Sequence, residues 1–190
     1  MIKNISNLGD AAVYCDFGNE VNKTINSKVI KYFKTIKKNN IEGINNLTPS
    51  YNKLIISFDL AITNFSKLKK IIENLSINKK ESLFFKKIEI PICCDELFSL
   101  DIKRLESKLN LKREKIFDNF IKNEYFCYMT GFIAGMPFLG DLNKNMQVKR
   151  LETPRVKVPK GSIGLTEQFT NIYTFESPGG WNIIGNSPKK

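Results

Sequence analysis

Histidine is absent from this chain of 190 residues. The commonest zinc ligand and the ordinary base for a hydroxyl nucleophile are therefore both missing. The four cysteines, Cys15, Cys93, Cys94 and Cys127, show no CxxC spacing, so neither a metal site nor a disulfide framework is expected. The vicinal pair Cys93-Cys94 follows Ile88-Glu89-Ile90-Pro91-Ile92 and reads as a strand end with one thiol packed inside. No stretch approaches the ~18 consecutive apolar residues of a membrane span, and the first six residues lack the apolar region of a signal peptide. A cytoplasmic protein that engages no membrane is the expectation. A nucleotide phosphate loop is missing too, because Lys160-Gly161-Ser162 lacks the preceding glycine spacing. Ser162 does not sit in a GxSxG elbow, and it reads as a structural serine in a β-turn.

Arginine is scarce, with four residues against 26 lysines. The net charge of +11 raises a nucleic-acid partner as a question, and its distribution argues against one. Residues 1–87 hold 15 lysines, no arginine and seven acids, whereas 88–190 hold 11 lysines, four arginines and 12 acids. The excess is diffuse lysine, in a chain crowded with asparagine and isoleucine, and forms no basic stripe. Against that background Arg150 and Arg155 stand out, five residues apart in a Pro/Gly-rich region. A guanidinium fork grips carboxylates and phosphates as lysine cannot, or ties loops together, and both readings are open here.

With 42% hydrophobic residues the chain can bury a core, and its length suits one domain or two of roughly 90 to 100 residues. Ala11–Phe17 reads as a strand ended by Gly18-Asn19. Ile25, Val29, Phe33 and Ile36 recur at helical spacing over 23–38. Strands follow near 41–47 and 53–59, then a helix over 65–75 with Leu68, Ile71, Ile72 and Leu75 in its stripe. A last strand at 85–92 completes the order β-α-β-β-α-β, the split βαβ or ferredoxin-like arrangement. Ile102, Leu105 and Leu109 make one short helical face, and Asn110 can cap a second helix carrying Ile116, Phe117, Phe120 and Ile121. Two short helices in a basic protein suggest a helix-turn-helix, but their connection lacks a turn glycine and ordinary packing explains every apolar position. From Glu124 onward, short β-prone segments at 124–130, 156–158, 162–165, 171–175 and 181–184 are bounded by Gly or Pro, the rhythm of a small barrel or sandwich. The expected domains are 1–87 and 88–190, with the boundary near Lys86–Pro91.

The last third is where the chain concentrates much of its glycine, most of its proline and its only tryptophan. Gly131-Phe132-Ile133-Ala134-Gly135-Met136-Pro137-Phe138-Leu139-Gly140, then Pro154-Arg155-Val156-Lys157-Val158-Pro159-Lys160-Gly161-Ser162-Ile163-Gly164, then Ser177-Pro178-Gly179-Gly180-Trp181 specify a shaped surface of turns. Candidate anion or substrate contacts there are Arg150, Arg155, Gly161, Ser162, Tyr173, Gly179 and Gly180, with Phe132, Phe138 and Trp181 as candidate partner contacts. Trp181 reads as a barrel-wall or interface anchor ahead of a cofactor platform. The remaining acid and base candidates, Asp141, Glu152, Glu167 and Lys160, are not paired at a diagnostic spacing.

These motifs resemble the family of the 5-oxoprolinase B-type subunit, also known as allophanate hydrolase subunit 1 or the Kip-type kinase inhibitor, which carries the carboxyltransferase C/D subdomain. The resemblance rests on Gly131, Phe132, Gly135, Leu139, Gly140, Arg150, Pro154, Arg155, Val158, Pro159, Gly161, Ser162, Gly164, Thr170, Tyr173, Pro178 to Trp181, Ile184 and Gly185. It extends to Gly9-Asp10-Ala11-Ala12-Val13, Phe17-Gly18, Gly43, Pro49-Ser50-Tyr51 and Ile90-Pro91. It implies an α+β fold, a ferredoxin-like domain followed by a cyclophilin-like β-barrel. It also implies one member of an assembly that, with homologues of the C-type and A-type 5-oxoprolinase subunits, uses ATP to open 5-oxoproline to glutamate. Kip-type members instead bind and inhibit a histidine kinase. Several positions depart from the pattern. Ala134-Gly135-Met136 stands for P-G-F, Phe169-Thr170-Asn171-Ile172-Tyr173-Thr174 for Q-T-G-x-Y-P, and Phe120 for a histidine. The pattern also continues into strands beyond Asn186–Lys190, so the barrel is expected to lack closing strands and to leave an edge beside Trp181, Ile183 and Ile184 for a partner.

Overall fold

A computed structural model describes residues 2–78 and 85–188. Its internal contacts divide the chain into two compact units, one up to Lys86 and one from Lys87 onward.

The first unit is a four-stranded antiparallel sheet covered by two helices. Its elements are β1 (Asn4–Asn7), β2 (Ala12–Asp16), α1 (Lys23–Asn39), β3 (Ile44–Pro49), β4 (Lys53–Phe58) and α2 (Phe65–Glu73), and the sheet runs β1-β2-β4-β3. Alternation on β2 and β4 sends Val13, Cys15, Leu54, Ile56 and Phe58 into a core closed by Val29 and Ile36 of α1 and Leu68 and Ile72 of α2. Both helices start on an asparagine cap. Asn22 Oδ1 accepts from the Ile25 N–H at 2.9 Å and Asn64 Oδ1 from the Lys67 N–H at 3.0 Å.

The strand expected at 85–92 is not formed; residues 79–84 lie outside the described residues, and 85–92 run without strand structure. Ile88 and Ile90 alternate as strand residues do, yet they are exposed, and Pro91 has no N–H for a ladder. The sheet edge beside β2 is held instead by β1, whose Ile5 pairs with Cys15. The split βαβ order therefore becomes β-β-α-β-β-α.

The second unit begins with two helices, α3 (Ile102–Leu109) and α4 (Arg113–Ile121). Asn110 does not cap α4. It closes α3 in the left-handed region at φ 51°, while the first turn of α4 is tied by its Arg113 N–H donating to Glu106 Oε1 at 2.9 Å. Seven strands follow: β5 (Phe126–Thr130), β6 (Pro137–Gly140), β7 (Arg155–Val158), β8 (Ser162–Thr166), β9 (Phe169–Ile172), β10 (Ser177–Gly179) and β11 (Asn182–Asn186). Five of them form an antiparallel sheet in the order β11-β8-β9-β6-β5, and β10 pairs with β7. The sheet is buried on both faces. Ile163, Leu165 and Ile184 pack on Leu105, Ile116, Phe117 and Phe120 of the helices. Ile183 and Tyr173 pack on Val158 of β7 and Met136 ahead of β6.

The open edge expected beside Trp181, Ile183 and Ile184 is also corrected. The Asp101 N–H donates to the Ile183 carbonyl at 3.0 Å, the Ile183 N–H donates to Asp101 Oδ2 at 2.6 Å, and Cys93 and Asn186 exchange backbone hydrogen bonds of 2.7 and 3.0 Å. The chain thus covers the edge of β11 with its own residues, as an exposed ladder requires.

Candidate functional site

The face of the second unit's sheet that turns away from its helices collects the polar residues singled out in the sequence. Tyr173, just past β9, is 1% exposed. Its hydroxyl lies against Gly179, where a β-carbon would stand 2.2 Å from the phenol oxygen. Glycine is thus required at 179 for close approach, since any side chain would displace the tyrosine. Burial pushes the Tyr173 phenol above its ordinary range, against the opposing pull of the Asn171 amide, the Arg150 charge, the Trp181 N–H and the Arg155 charge. At neutral pH the hydroxyl keeps its proton and is a hydrogen-bond donor.

Two arginines bear on that hydroxyl from different supports. Arg155 opens β7, with its α-carbon paired to Gly179, and its Nη2 donates to Asp101 Oδ1 at 2.6 Å. Asp101 is 5% exposed and spends its other oxygen on the Ile183 N–H. Arg155 Nη1 is buried and makes no hydrogen bond. Arg150 is exposed and lies alongside Gly180, its Nε and Nη2 3.5 Å from where a β-carbon would stand. Its loop is pinned by the Leu151 N–H donating to the Gly180 carbonyl at 2.7 Å. The structure therefore brings Arg150, Arg155, Tyr173, Gly179 and Gly180 together.

Gly161 and Ser162 reach the same residues only through the backbone. Gly161 adopts φ 83°, donates its N–H to the Tyr173 carbonyl at 2.7 Å, and has its open side filled by Asn186 and Ser187. Ser162 is 2% exposed and accepts the Tyr173 N–H at 2.9 Å through its carbonyl. Trp181 is buried at 9% exposure and stands edge-on to Phe138, ring centroids 5.7 Å apart. It belongs to the wall of the unit and presents little surface to another chain. Phe132 is 70% exposed and held at φ 67°, a conformation that is uncommon for a bulky residue. Of the other candidates, Asp141 accepts the single Tyr128 hydroxyl proton between its two oxygens, at 2.9 and 3.1 Å, Lys160 rests over the Phe175 ring, and Glu152 and Glu167 are exposed.

Three contributors carry no local signal in the sequence. Asp101 meets Arg155 across 54 residues. Asn182 accepts from Arg104 Nε at 2.9 Å and donates to the carbonyls of Lys149 and Leu165, thereby fastening the loop that carries Arg150. Asn171 is fully buried beside Tyr173, and its one sequence cue is that it stands where the resembled pattern has glycine. Among the described residues no group of three His, Cys, Asp or Glu could hold a metal ion, and no helix is long and apolar enough to cross a membrane.

The sequence pattern of the family described as carboxyltransferase domain, subdomain C and D, matches residues 3–190. The B-type subunit of 5-oxoprolinase from Bacillus subtilis (strain 168) is 29% identical over 196 aligned positions, covering 97% of this chain and 82% of the relative. The protein of the same name from Haemophilus influenzae is 36% identical over 144 positions, covering 75% of this chain and 64% of its own length. Among solved structures, the crystal structure of TTHA0988 superposes with a TM-score of 0.83 at 26% identity, covering 94% of this chain. This chain spans about a third of that protein, at 35% of its length.

Proposed function

Because the chain belongs to the family of the carboxyltransferase domain, subdomains C and D, we propose that it is a subunit of an ATP-dependent 5-oxoprolinase. In this reading it opens the lactam of 5-oxoproline to glutamate in a cytoplasmic complex with homologues of the C-type and A-type subunits of that enzyme. The second unit then corresponds to the cyclophilin-like barrel of the family. The observation that supports this best is the meeting of Arg150, Arg155 and Tyr173 over Gly179-Gly180. Two guanidinium groups suit the substrate carboxylate or a phosphate passed from ATP. A protonated, buried phenol suits a donor to the carbonyl or leaving nitrogen of the ring. Without histidine or a phosphate loop, the chain depends on its partners for nucleotide and for a base.

The test is 5-oxoproline-dependent ATP hydrolysis by the chain alone and by the co-purified complex. The isolated chain is expected to show no turnover. Arg150→Ala, at an exposed position that leaves packing intact, is expected to lower kcat/KM of the complex roughly 10- to 100-fold, the loss of one charge-assisted contact. Turnover by the purified chain alone, or an unchanged Arg150→Ala complex, overturns the reading. An inactive complex together with inhibition of a histidine kinase by this chain selects the Kip-type regulator.

A further inference from the structure

Buried asparagines in this protein are otherwise well satisfied. Asn26 donates to the carbonyls of Ser50 and Tyr51 at 3.2 and 3.0 Å, Asn52 to those of Gly18 and Glu20 at 2.8 and 3.0 Å. Asn182 uses both ends of its amide. Thr170, on the opposite face of β9, bonds the Gly164 carbonyl at 2.8 Å. Asn171 breaks the rule. At 0% exposure neither its Oδ1 nor its Nδ2 makes a hydrogen bond, and desolvating a carboxamide without partners is costly. The amide is near enough to pull on the Tyr173 phenol, but the two do not meet in hydrogen-bonding geometry.

Its surroundings point to a ligand. Asn171 is paired across the sheet with Gly164 on one side and Phe138 on the other. The missing side chain at Gly164 leaves its oxygen 2.8 Å from where a β-carbon would sit. Tyr173 is its neighbour on the same face, and Arg155 Nη1, the other orphaned buried group, belongs to the strand paired with Gly179 beneath Tyr173. The β5–β6 loop lies over this cluster. Ile133 and Met136 of that loop pack into the cluster around Tyr173, and the Thr174 hydroxyl holds the Ala134 carbonyl at 2.7 Å in an exposed bond.

We propose that Asn171 is a specificity residue: its carboxamide pairs with the cis-amide edge of a ring lactam while Arg155 Nη1 and Arg150 hold the carboxylate of the same ligand. A lactam ring places its N–H and C=O on one edge, the complement of the donor and acceptor that a carboxamide presents side by side. A trans amide places them on opposite edges and does not match. This inference rests on the 5-oxoprolinase reading and adds to it the residue that reads the amide.

The experiment is calorimetric titration of the full chain, alone and in complex with its partners, using three probes. These are 5-oxo-L-proline, cyclopentanecarboxylate, which keeps ring and carboxylate without the amide, and 2-pyrrolidinone, which keeps the lactam without the carboxylate. The wild type is expected to bind 5-oxoproline about 10- to 100-fold more tightly than cyclopentanecarboxylate, the worth of two hydrogen bonds. Asn171→Leu, and Asn171→Ala should the larger residue not fit, are expected to bring that ratio near one while leaving cyclopentanecarboxylate affinity unchanged. Retained discrimination in both variants overturns the role of Asn171 and leaves the carboxylate site standing. Asn171-dependent binding of 2-pyrrolidinone, with no binding of either carboxylate, supports the amide reader and overturns the 5-oxoprolinase reading. Binding of none of the three to the chain or complex overturns both.

Discussion

At Gly179 the backbone and the Tyr173 phenol compete for one volume. A methyl group there would lie 2.2 Å from the hydroxyl oxygen and 2.8 Å from the ring carbon bearing it. Gly179→Ala is therefore expected to destabilise the second unit by about 1–3 kcal/mol, the usual cost of overpacking. A Tyr173→Phe background removes the nearest atom and should recover part of the loss. Gly180→Ala, with its nearest atoms at 3.5 Å, should change stability little. Denaturant titration of the three variants checks the set, and equal effects at 179 and 180 would contradict the packing argument. Residue-level legibility divides along the same line. Tyr173, Gly179 and the two arginines were readable because they cluster in sequence with turn-forming glycine and proline. Asp101 was not, since a carboxylate at the start of a helix looks like an ordinary cap. Here it makes no cap hydrogen bond and its partners, Arg155 and Ile183, lie far along the chain.

Among elements, the pair β2 and β4 carries the clearest pH dependence. Lys53 on β4 bonds Asp16 on β2 at 2.5 Å, and that bond, aided by the Gly18 N–H and opposed by partial burial, holds the Asp16 carboxyl below its usual range. A carboxyl with a depressed folded pKa contributes stability above its unfolded value, near 3.9, that is lost as pH falls through the folded one. Asp16→Asn is expected to lower stability at pH 7 and to flatten the acid limb below about pH 4; parallel acid limbs in thermal unfolding would refute this. Helix α1 was legible because Ile25, Val29, Phe33 and Ile36 state their period within one segment. Strand β1 was not, because Asn4-Ile5-Ser6-Asn7 has the polarity of a loop and gains strand structure only by pairing with β2. The false strand at 85–92 is the converse, an alternation of isoleucines whose pattern is right and whose partner is elsewhere. Strands β6 and β10 hid for a third reason: each contains proline, which sequence patterns assign to turns.

At the scale of the molecule, among the described residues the first unit's core draws on residues 2–75 and the second unit's two clusters on residues 92–184. Damage to one core should leave the other intact. Leu105→Ala, at a fully buried position in the cluster of Ile116 and Leu165, is expected to cost the second unit about 2–5 kcal/mol. Trp181 is the only tryptophan and lies in that unit, so its fluorescence midpoint should fall while the circular-dichroism signal of the first unit's helices unfolds as before. A shift of both together would show the units to be one cooperative block. The sealing of β11 has a consequence for biosynthesis. Ile183 serves one cluster and Ile184 the other, so neither face of the second sheet can be finished until the ribosome has released residue 186. By then the first unit, whose last core residue is Leu75, has long been free to fold. At about 5–20 residues per second, translation leaves the helices and early strands of the second unit waiting for several seconds with apolar surface uncovered, an interval in which a chaperone would find this protein.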